Sequence, residues 1–468
     1  MITMTLAEIA AAVGGTAHGE ATVTGGAFID TRTPEPDGLF VALVGEHVDG
    51  HDFVEQAIAA GAVAALASRP TRVPTVVVDD VVTALGRLAR HVHDALTGLT
   101  TYALTGSQGK TGTKDYLAAI LEGDGPTVAT RGNFNNEIGV PLTVLRAAPE
   151  TKHLVLEMGA RGVGHIAYLC RLAPPDIAAV VNVGTAHIGE FGSREAIAEA
   201  KGEIVESLTA EGTAVLNADD QLVAAMASRT IGKVVTFGDG GNLRARDVST
   251  DDLDRPSFDL QWRGSGATVH LAQIGRHQIE NALAAAAMAL VKGLDLDAVV
   301  DGLTDARPPS RWRMELHERA DGTAVINDAY NANPESMAAA LAVLHGIRGR
   351  AGRRTIAVLG EMLELGEVAV SAHRSVGDDA AAAEVDVLLT IGDMAAHMAA
   401  AATEHRGWQG EAIVTAGRAE AVEWLRQNVS AGDVVMVKAS RGAALEHVAE
   451  ALLDHPLDDP LAEGSSTR

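Results

Sequence analysis

The sequence predicts an α/β fold in three domains, and three observations predict it. Its 468 residues suggest two to four domains at roughly 100–200 residues each. After about residue 98, apolar runs of strand length alternate with amphipathic stretches, the grammar of βαβ units around a mostly parallel sheet. Two prolines interrupt that alternation in "ARPPSRWR" (306–313), and it then restarts. The expected boundaries are 1–98 for a small mixed α/β domain, 99–309 for a central domain and 310–460 for a second α/β block, with a flexible tail at 461–468.

The leading domain reads as a helix near 5–13, an apolar strand at 38–43, a helix near 51–60 and a strand at 75–78. Between the first helix and the first of those strands, "FIDTRTPEPDG" (28–38) is an ordered loop, fixed by two prolines and Gly38. In the central domain "TTYALTG", "HLVLEMG", "DIAAVVNVG", "GTAVLNADD" and "KVVTFGD" are strands running into turns. The polar, alternating segment 244–273 is an antiparallel edge on that sheet, and 277–294 is a helix rich in alanine. Strands recur in the last block at 323–328, 354–360, 385–392, 411–417 and 433–440.

Composition narrows the function. The chain carries 37 Lys and Arg against 62 Asp and Glu, a net charge of −25, and only 3% aromatic residues. Binders of nucleic acid need basic grooves and stacking platforms, and an anionic membrane surface also attracts basic protein, so neither partner is expected. One cysteine, Cys170, excludes an intrachain disulfide and a thiolate zinc cluster. The first residues lack the basic start of a signal peptide, and no apolar run approaches the roughly 20 residues of a spanning helix. A soluble cytoplasmic protein without membrane insertion is expected. Only seven of its cations are lysines, so a lysine in a glycine-rich loop stands out.

Such a loop occurs in "TYALTGSQGKTGTKD" (101–115), between a strand and a helix. Gly106, Ser107, Gln108, Gly109 and Gly112 let backbone N–H groups turn onto phosphate oxygens. Lys110 supplies a point charge and the Thr111 hydroxyl a magnesium ligand. The spacing is a shortened G-x-x-G-K-T, with Leu104 where the longer pattern has glycine.

Ligands of open α/β sheets bind beyond the carboxyl ends of the strands. Glu157 ends one such strand, either as an oxygen donor to the same Mg²⁺ or as a helix cap. His187 lies past another, as a ligand or a structural hydrogen bonder. Lys201 falls in a helical pattern, where a lysine ordinarily snorkels to water. Asn281 sits among small residues, open to a flat base or bonded within its helix. Asp328 ends a strand and can accept from ribose hydroxyls, and Asn333 before Pro334 is a natural helix cap, with Tyr330 and Asn331 between them.

Together "TGSQGKTGTK", "GNFNNEIGVP" (132–141), "LEMGA" (156–160), "NVGTAHIGEFGS" (182–193), "AKGEI" (200–204), "LNADD" (216–220), "GRHQIENALAA" and "NDAYNANPESM" resemble the Mur ligases of bacterial cell-wall synthesis. They run in the family's order from residue 28 to about 442. The resemblance implies a leading UDP-sugar domain, a central ATP domain and a Rossmann-like third domain. It implies an ATP-dependent ligase, most similar to those joining D-alanyl-D-alanine to UDP-N-acetylmuramoyl-tripeptide through an acyl phosphate, the last cytoplasmic step of the peptidoglycan precursor, in a monomeric enzyme.

By that resemblance Lys110 and Thr111 hold the ATP phosphates and a first Mg²⁺, with Glu157 as a ligand. His187 and Lys201 hold a second Mg²⁺, the lysine as a CO₂-derived carbamate that turns a cation into an oxygen donor. Asn281 meets adenine, Asp328 the ribose, and Arg313 the phosphates from the third domain. Asp30, Thr31 and Arg32, with Asn133, Asn135 and Asn136, face the UDP-sugar. Tyr330, Asn331 and Asn333 are substrate contacts, as are Lys438, Ser440 and Arg441 of "KASRG" unless that is an ordinary surface turn.

Two positions depart from the family pattern. Trp312 stands where a glycine usually precedes the arginine, which leaves Arg311 and Arg313 as candidates; Arg313 lies fifteen residues before Asp328, the family spacing. Gly112 stands where relatives carry a hydroxyl or another small residue. The nearest alternative is the sibling ligase that adds a third-position diamino acid, but its D-N-P-R segment is missing and the turn reads "YNANP". A folate polyglutamate ligase would lack the UDP-sugar domain. A non-catalytic Mur-like nucleotide-binding subunit would be expected to lose motif residues that are present here.

Overall fold

Alternating apolar patterns place buried strands under amphipathic helices, and the computed structural model of residues 1–184, 191–307 and 310–453 follows that plan. Among the described residues the chain forms three main sheets, of five, nine and six strands. His187, Pro308, Pro309 and residues 454–468, with the expected tail and the end of the third block, lie outside the described residues.

The first sheet is built from β2 (Thr16–His18), β4 (Ala27–Phe28), β5 (Leu39–Val41), β6 (Ala64–Ala67) and β7 (Thr75–Val77), in the order β2-β7-β6-β5-β4. A small antiparallel pair, β1 (Met4–Thr5) and β3 (Thr22–Val23), lies beside it. Asp80 caps the helix Val81–Ala95, whose apolar face shares one buried cluster with central-domain residues such as Val140, Leu145 and Ile166. The leading domain is therefore packed onto the central one through a common core.

The central sheet contains β8 (Thr100–Thr105), β9 (Thr127–Ala129), β10 (His153–Glu157), β11 (Ile177–Val180), β12 (Thr213–Asn217), β13 (Lys233–Phe237), β14 (Leu243–Thr250), β15 (Pro256–Trp262) and β16 (Ser265–His270). Their order is β16-β15-β14-β13-β12-β11-β8-β10-β9. Pairing is parallel from β9 to β14 and antiparallel across β14, β15 and β16, the edge expected at 244–273. Strand β10 lies on one side of β8 and β11 on the other, so the order reverses around β8. That switch point opens a crevice at the carboxyl ends of these strands. The helices Lys110–Glu122 and His277–Lys292 cover one face, the second burying an alanine run from Ala282 to Ala289 that permits close approach.

The third sheet holds β17 (Glu315–Glu318), β18 (Ala324–Asp328), β19 (Thr355–Leu359), β20 (Val387–Ile391), β21 (Glu411–Thr415) and β22 (Val434–Lys438), ordered β17-β18-β22-β19-β20-β21. It is parallel except for β17, and each face has its own apolar core. Two ion pairs join it to the turn before β15. Arg350 binds the buried carboxylate of Asp254, and Arg255 meets Glu318 at 2.6 Å.

Candidate active site

Strand β8 delivers the glycine-rich loop, and Gly109 enters the helix Lys110–Glu122 at φ +74°. A Cβ there would stand 2.2 Å from Asn281 Oδ1, so glycine is required both for the turn and for the approach. Lys110 Nζ donates back to the carbonyls of Gly106 (2.6 Å) and Ser107 (3.3 Å). Burial lowers the Lys110 pKa; Glu157 opposes the shift and the charge of Arg313 adds to it. Arg313 of the third domain thus acts electrostatically on the loop lysine of the central domain.

Glu157, at the end of β10, is buried. Its Oε2 accepts from the Thr111 hydroxyl at 2.9 Å and its Oε1 from Asn135 Nδ2 at 2.8 Å, while its N–H donates to Thr130 Oγ1 at 3.0 Å. The carboxylate caps no helix; it faces the phosphate loop. Lys201 lies in the helix Arg194–Glu206, with Ser193 as cap, and is only 6% exposed, so its head does not snorkel. Burial, then the charge of Lys110, pushes its pKa well below the ordinary lysine range. No ion pair meets its ammonium among the described residues. Nor do the described residues contain a cluster of three or more His, Cys, Asp or Glu side chains arranged around a metal.

In the third domain both oxygens of Asp328 are engaged, Oδ2 by Lys438 Nζ at 2.6 Å and Oδ1 by the Met314 N–H at 3.1 Å. Lys438 also donates to Asn331 O at 2.9 Å and is buried. Lys438 and Ser440 of "KASRG" are buried and the lysine braces the 328–333 segment, while Arg441 and Gly442 are exposed. Ser440 Oγ accepts from the Leu363 N–H at 2.9 Å. Asn333 and Ser336 form a reciprocal capping box at the start of the helix Pro334–Ala351.

The Arg313 guanidinium lies 4.0 Å from the Tyr330 ring centroid. Trp312 has φ +59°, the left-handed region that glycine enters freely, which accounts for the glycine usual there. Arg441 stacks 4.1 Å from the Trp312 ring and is paired with buried Glu446, and Arg311 lies 6.0 Å from the same ring. Arg311 thus lies by the Trp312 ring and Arg313 over the Tyr330 ring.

Of the asparagine loop, Asn135 turns to Glu157 and Asn136 caps the helix Gly139–Val144 through the N–H groups of Ile138 and Gly139 (3.2 and 2.9 Å); only Asn133 is exposed. These two half-buried amides serve a carboxylate and the backbone. Arg32 forks onto Asp30 at 3.0 and 2.7 Å, and Glu35 meets Arg131 at 3.1 Å, which sets the Asp30–Thr31–Arg32 loop beside the asparagine loop. Asn281 is buried and bonded to Gln278 Oε1 at 3.0 Å, and a Cβ on Gly112 would stand 2.9 Å from Asn281 Nδ2. Position 112 thus has no room for a larger residue unless Asn281 moves.

Other residues lie within the quoted stretches but were given no role there. Asn182 accepts from the N–H groups of Ser107 (3.1 Å, at its carbonyl) and Gln108 (2.9 Å, at Oδ1) and so shapes the loop. Asn217 Nδ2 donates to Glu280 Oε1 at 2.7 Å, and burial raises the pKa of Glu280. The available signal was a polar residue directly after an apolar strand.

Comparison with known proteins agrees with this arrangement. Models described as "Mur ligase family, catalytic domain", "Mur ligase middle domain" and "Mur ligase, glutamate ligase domain" match residues 25–93, 104–289 and 312–441. The UDP-N-acetylmuramoyl-tripeptide--D-alanyl-D-alanine ligase of Mycobacterium tuberculosis is 44% identical over 502 aligned positions, covering 97% of this chain and 98% of that protein. A crystal structure of MurF from Acinetobacter baumannii superposes with a TM-score of 0.84 at 32% identity, covering 95% and 98% of the two chains. The MurF ligase of Thermotoga maritima in complex with ADP gives 0.77 at 30% identity over 91% and 96%. Similarity of this extent along nearly the whole length leaves one assignment: the chain belongs to the Mur ligase family.

Proposed function

We propose that this enzyme uses ATP to join the amine of D-alanyl-D-alanine to the terminal carboxylate of UDP-N-acetylmuramoyl-tripeptide, releasing ADP and phosphate. One observation carries the ATP-dependent chemistry: strand β8 turns through Gly109 into a helix that opens with Lys110 and Thr111, and the Thr111 hydroxyl is bonded to the buried Glu157 carboxylate at 2.9 Å. The substrates are those in the name of the tuberculosis relative, which matches end to end.

A carboxylate is a poor electrophile, so it is first activated. A carboxylate oxygen attacks the γ-phosphorus, ADP leaves, and an acyl phosphate forms. The dipeptide amine then attacks the acyl carbon, the tetrahedral adduct expels phosphate, and the amine proton passes to solvent. Lys110 and the N–H groups at the start of its helix hold the transferred phosphoryl charge, and Arg313 reaches it from the opposite domain. Seating the third domain over the loop excludes water from the acyl phosphate.

Thr111 and Glu157 offer adjacent hard oxygens suited to Mg²⁺. Lys201 suits a carbamate: its neutral amine is favoured by burial, and attack of Nζ on CO₂ with loss of a proton would turn that buried amine into an oxygen donor. With His187 it would hold a second ion. When bound, magnesium neutralises charge between ATP and the carboxylate. ATP and a UDP-linked precursor are cytoplasmic, and a single chain supplies every group named, so the enzyme acts there as a monomer.

The test is phosphate release from ATP. Release requiring both UDP-N-acetylmuramoyl-tripeptide and D-alanyl-D-alanine is expected. Release with the UDP-dipeptide precursor and a diamino acid instead would reassign the chain to the sibling ligase.

A further inference from the structure

One turn beyond Lys110, the same helix buries a second cation. Lys114 has a side chain only 3% exposed, as does that of Asp115, with 2.5 Å between Nζ and Oδ1. Neighbouring residues on a helix diverge by about 100°, so this pair does not form by helix geometry alone; both side chains bend toward a common point. That point is Ser310, in the segment between the central and third domains. Lys114 Nζ lies 3.3 Å from Ser310 Oγ, and the Ser310 hydroxyl also bonds Asp115. The third contact of Lys114 Nζ is the carbonyl of Thr130, at 3.1 Å.

Thr130 leads to the reaction centre. Its N–H is bonded to Val155 O at 3.0 Å, and its hydroxyl accepts from the Glu157 N–H at 3.0 Å. Glu157 in turn holds Thr111 and Asn135. An unbroken line of polar contacts therefore joins the interdomain segment to the carboxylate at the phosphate loop: Ser310, Lys114, Thr130, Glu157, Thr111. Ser310 is three residues ahead of Arg313, so a shift of this segment that carries Arg313 toward Lys110 also moves Ser310 relative to Lys114.

We propose that Lys114 is a positioning residue that couples the setting of the interdomain segment, read at Ser310, to Glu157 through Thr130. The contact at Ser310 orients the ammonium, the ammonium fixes the Thr130 carbonyl, and the Thr130 hydroxyl fixes the backbone of Glu157. Nucleotide affinity then depends on where the third domain sits, through a path separate from the direct reach of Arg313. The inference rests on Glu157 standing at the phosphate end of the nucleotide site.

The experiment measures equilibrium binding of ADP with Mg²⁺ by calorimetry, together with melting of the nucleotide-free protein. The proteins are wild type, Ser310→Ala, Ser310→Thr, Thr130→Val and the Ser310→Ala/Thr130→Val double variant. Loss of a hydrogen bond to a charged group corresponds to about tenfold in affinity. Ser310→Ala and Thr130→Val should each weaken ADP by about that factor, Ser310→Thr should restore it, and melting of the Ser310 variants should match wild type. The double variant should bind about as well as the weaker single one, because both cut one path. Multiplying losses, unchanged affinity in Ser310→Ala, or a Ser310→Ala protein that melts well below wild type would overturn the coupling. Failure of wild type itself to bind ADP would instead overturn the functional reading.

Discussion

A lysine buried without an acid partner is expensive unless it is neutral or converted to something else. Among the described residues no acid partner meets Lys201, and burial lowers its pKa. Between that lowered value and the ordinary value of 10.5, the unfolded chain binds a proton at Lys201 that the folded chain does not. In CO₂-free buffer, stability should therefore rise with pH across this window, and Lys201→Met should remove that part of the rise in a thermal melt. With ¹³C-bicarbonate, wild type should show a carbamate carbonyl resonance that Lys201→Ala lacks, and Lys201→Ala should lose activity; a resonance persisting in the variant would place the adduct elsewhere. Gly112 is constrained by neighbours instead. Its alanine variant should be destabilised by about 1–3 kcal/mol, read by urea titration, since Asn281 must move. Motifs made the loop and the strand-end place of Glu157 legible in the sequence, while the preference for Arg313 over Arg311 rests on family spacing. The partners of Asn135 and Asn182 were not, because which way a loop side chain turns depends on backbone geometry that residue types do not encode.

Helices here are positioned by caps at strand ends, and the helix Pro334–Ala351 shows how far sequence carries that argument. Asn333 before Pro334 announced the start, and Ser336 closes the reciprocal box. Asn333→Ala should cost about 1 kcal/mol, visible as a Tm lowered by about 2–4 °C. Turnover lost beyond what the fall in Tm explains would mean that Asn333 also touches substrate. Element order was readable from the alternation of patterns, and the hairpin edge at β14–β16 from its polar periodicity. Strand order was not readable: nothing local to β11 says that it lies across β8 from β10, yet that reversal creates the crevice.

At the scale of the molecule, the leading domain shares its core with the central domain, while the third takes Leu253 and Ile274 of the central domain into one of its own cores and adds ion pairs. Arg350 on Asp254 and Arg255 on Glu318 join the third domain to the turn before β15, and burial already pushes the Asp254 carboxyl up against the pull of Arg350. Arg350→Ala should loosen the third domain: trypsin should cut faster after Arg311 or Arg313, and KM for ATP should rise several-fold while the leading domain stays resistant. Unchanged cleavage would show that these pairs do not set the domain's position. The central claim is ligation through an activated carboxylate, and isotope transfer tests it most directly. UDP-N-acetylmuramoyl-tripeptide labelled with ¹⁸O in both oxygens of its terminal carboxylate is incubated with ATP and D-alanyl-D-alanine, and the products are read by mass spectrometry. The account predicts a UDP-linked pentapeptide retaining one ¹⁸O in the new amide and one ¹⁸O in each phosphate released; unlabelled phosphate, or ADP formed without pentapeptide, would contradict it.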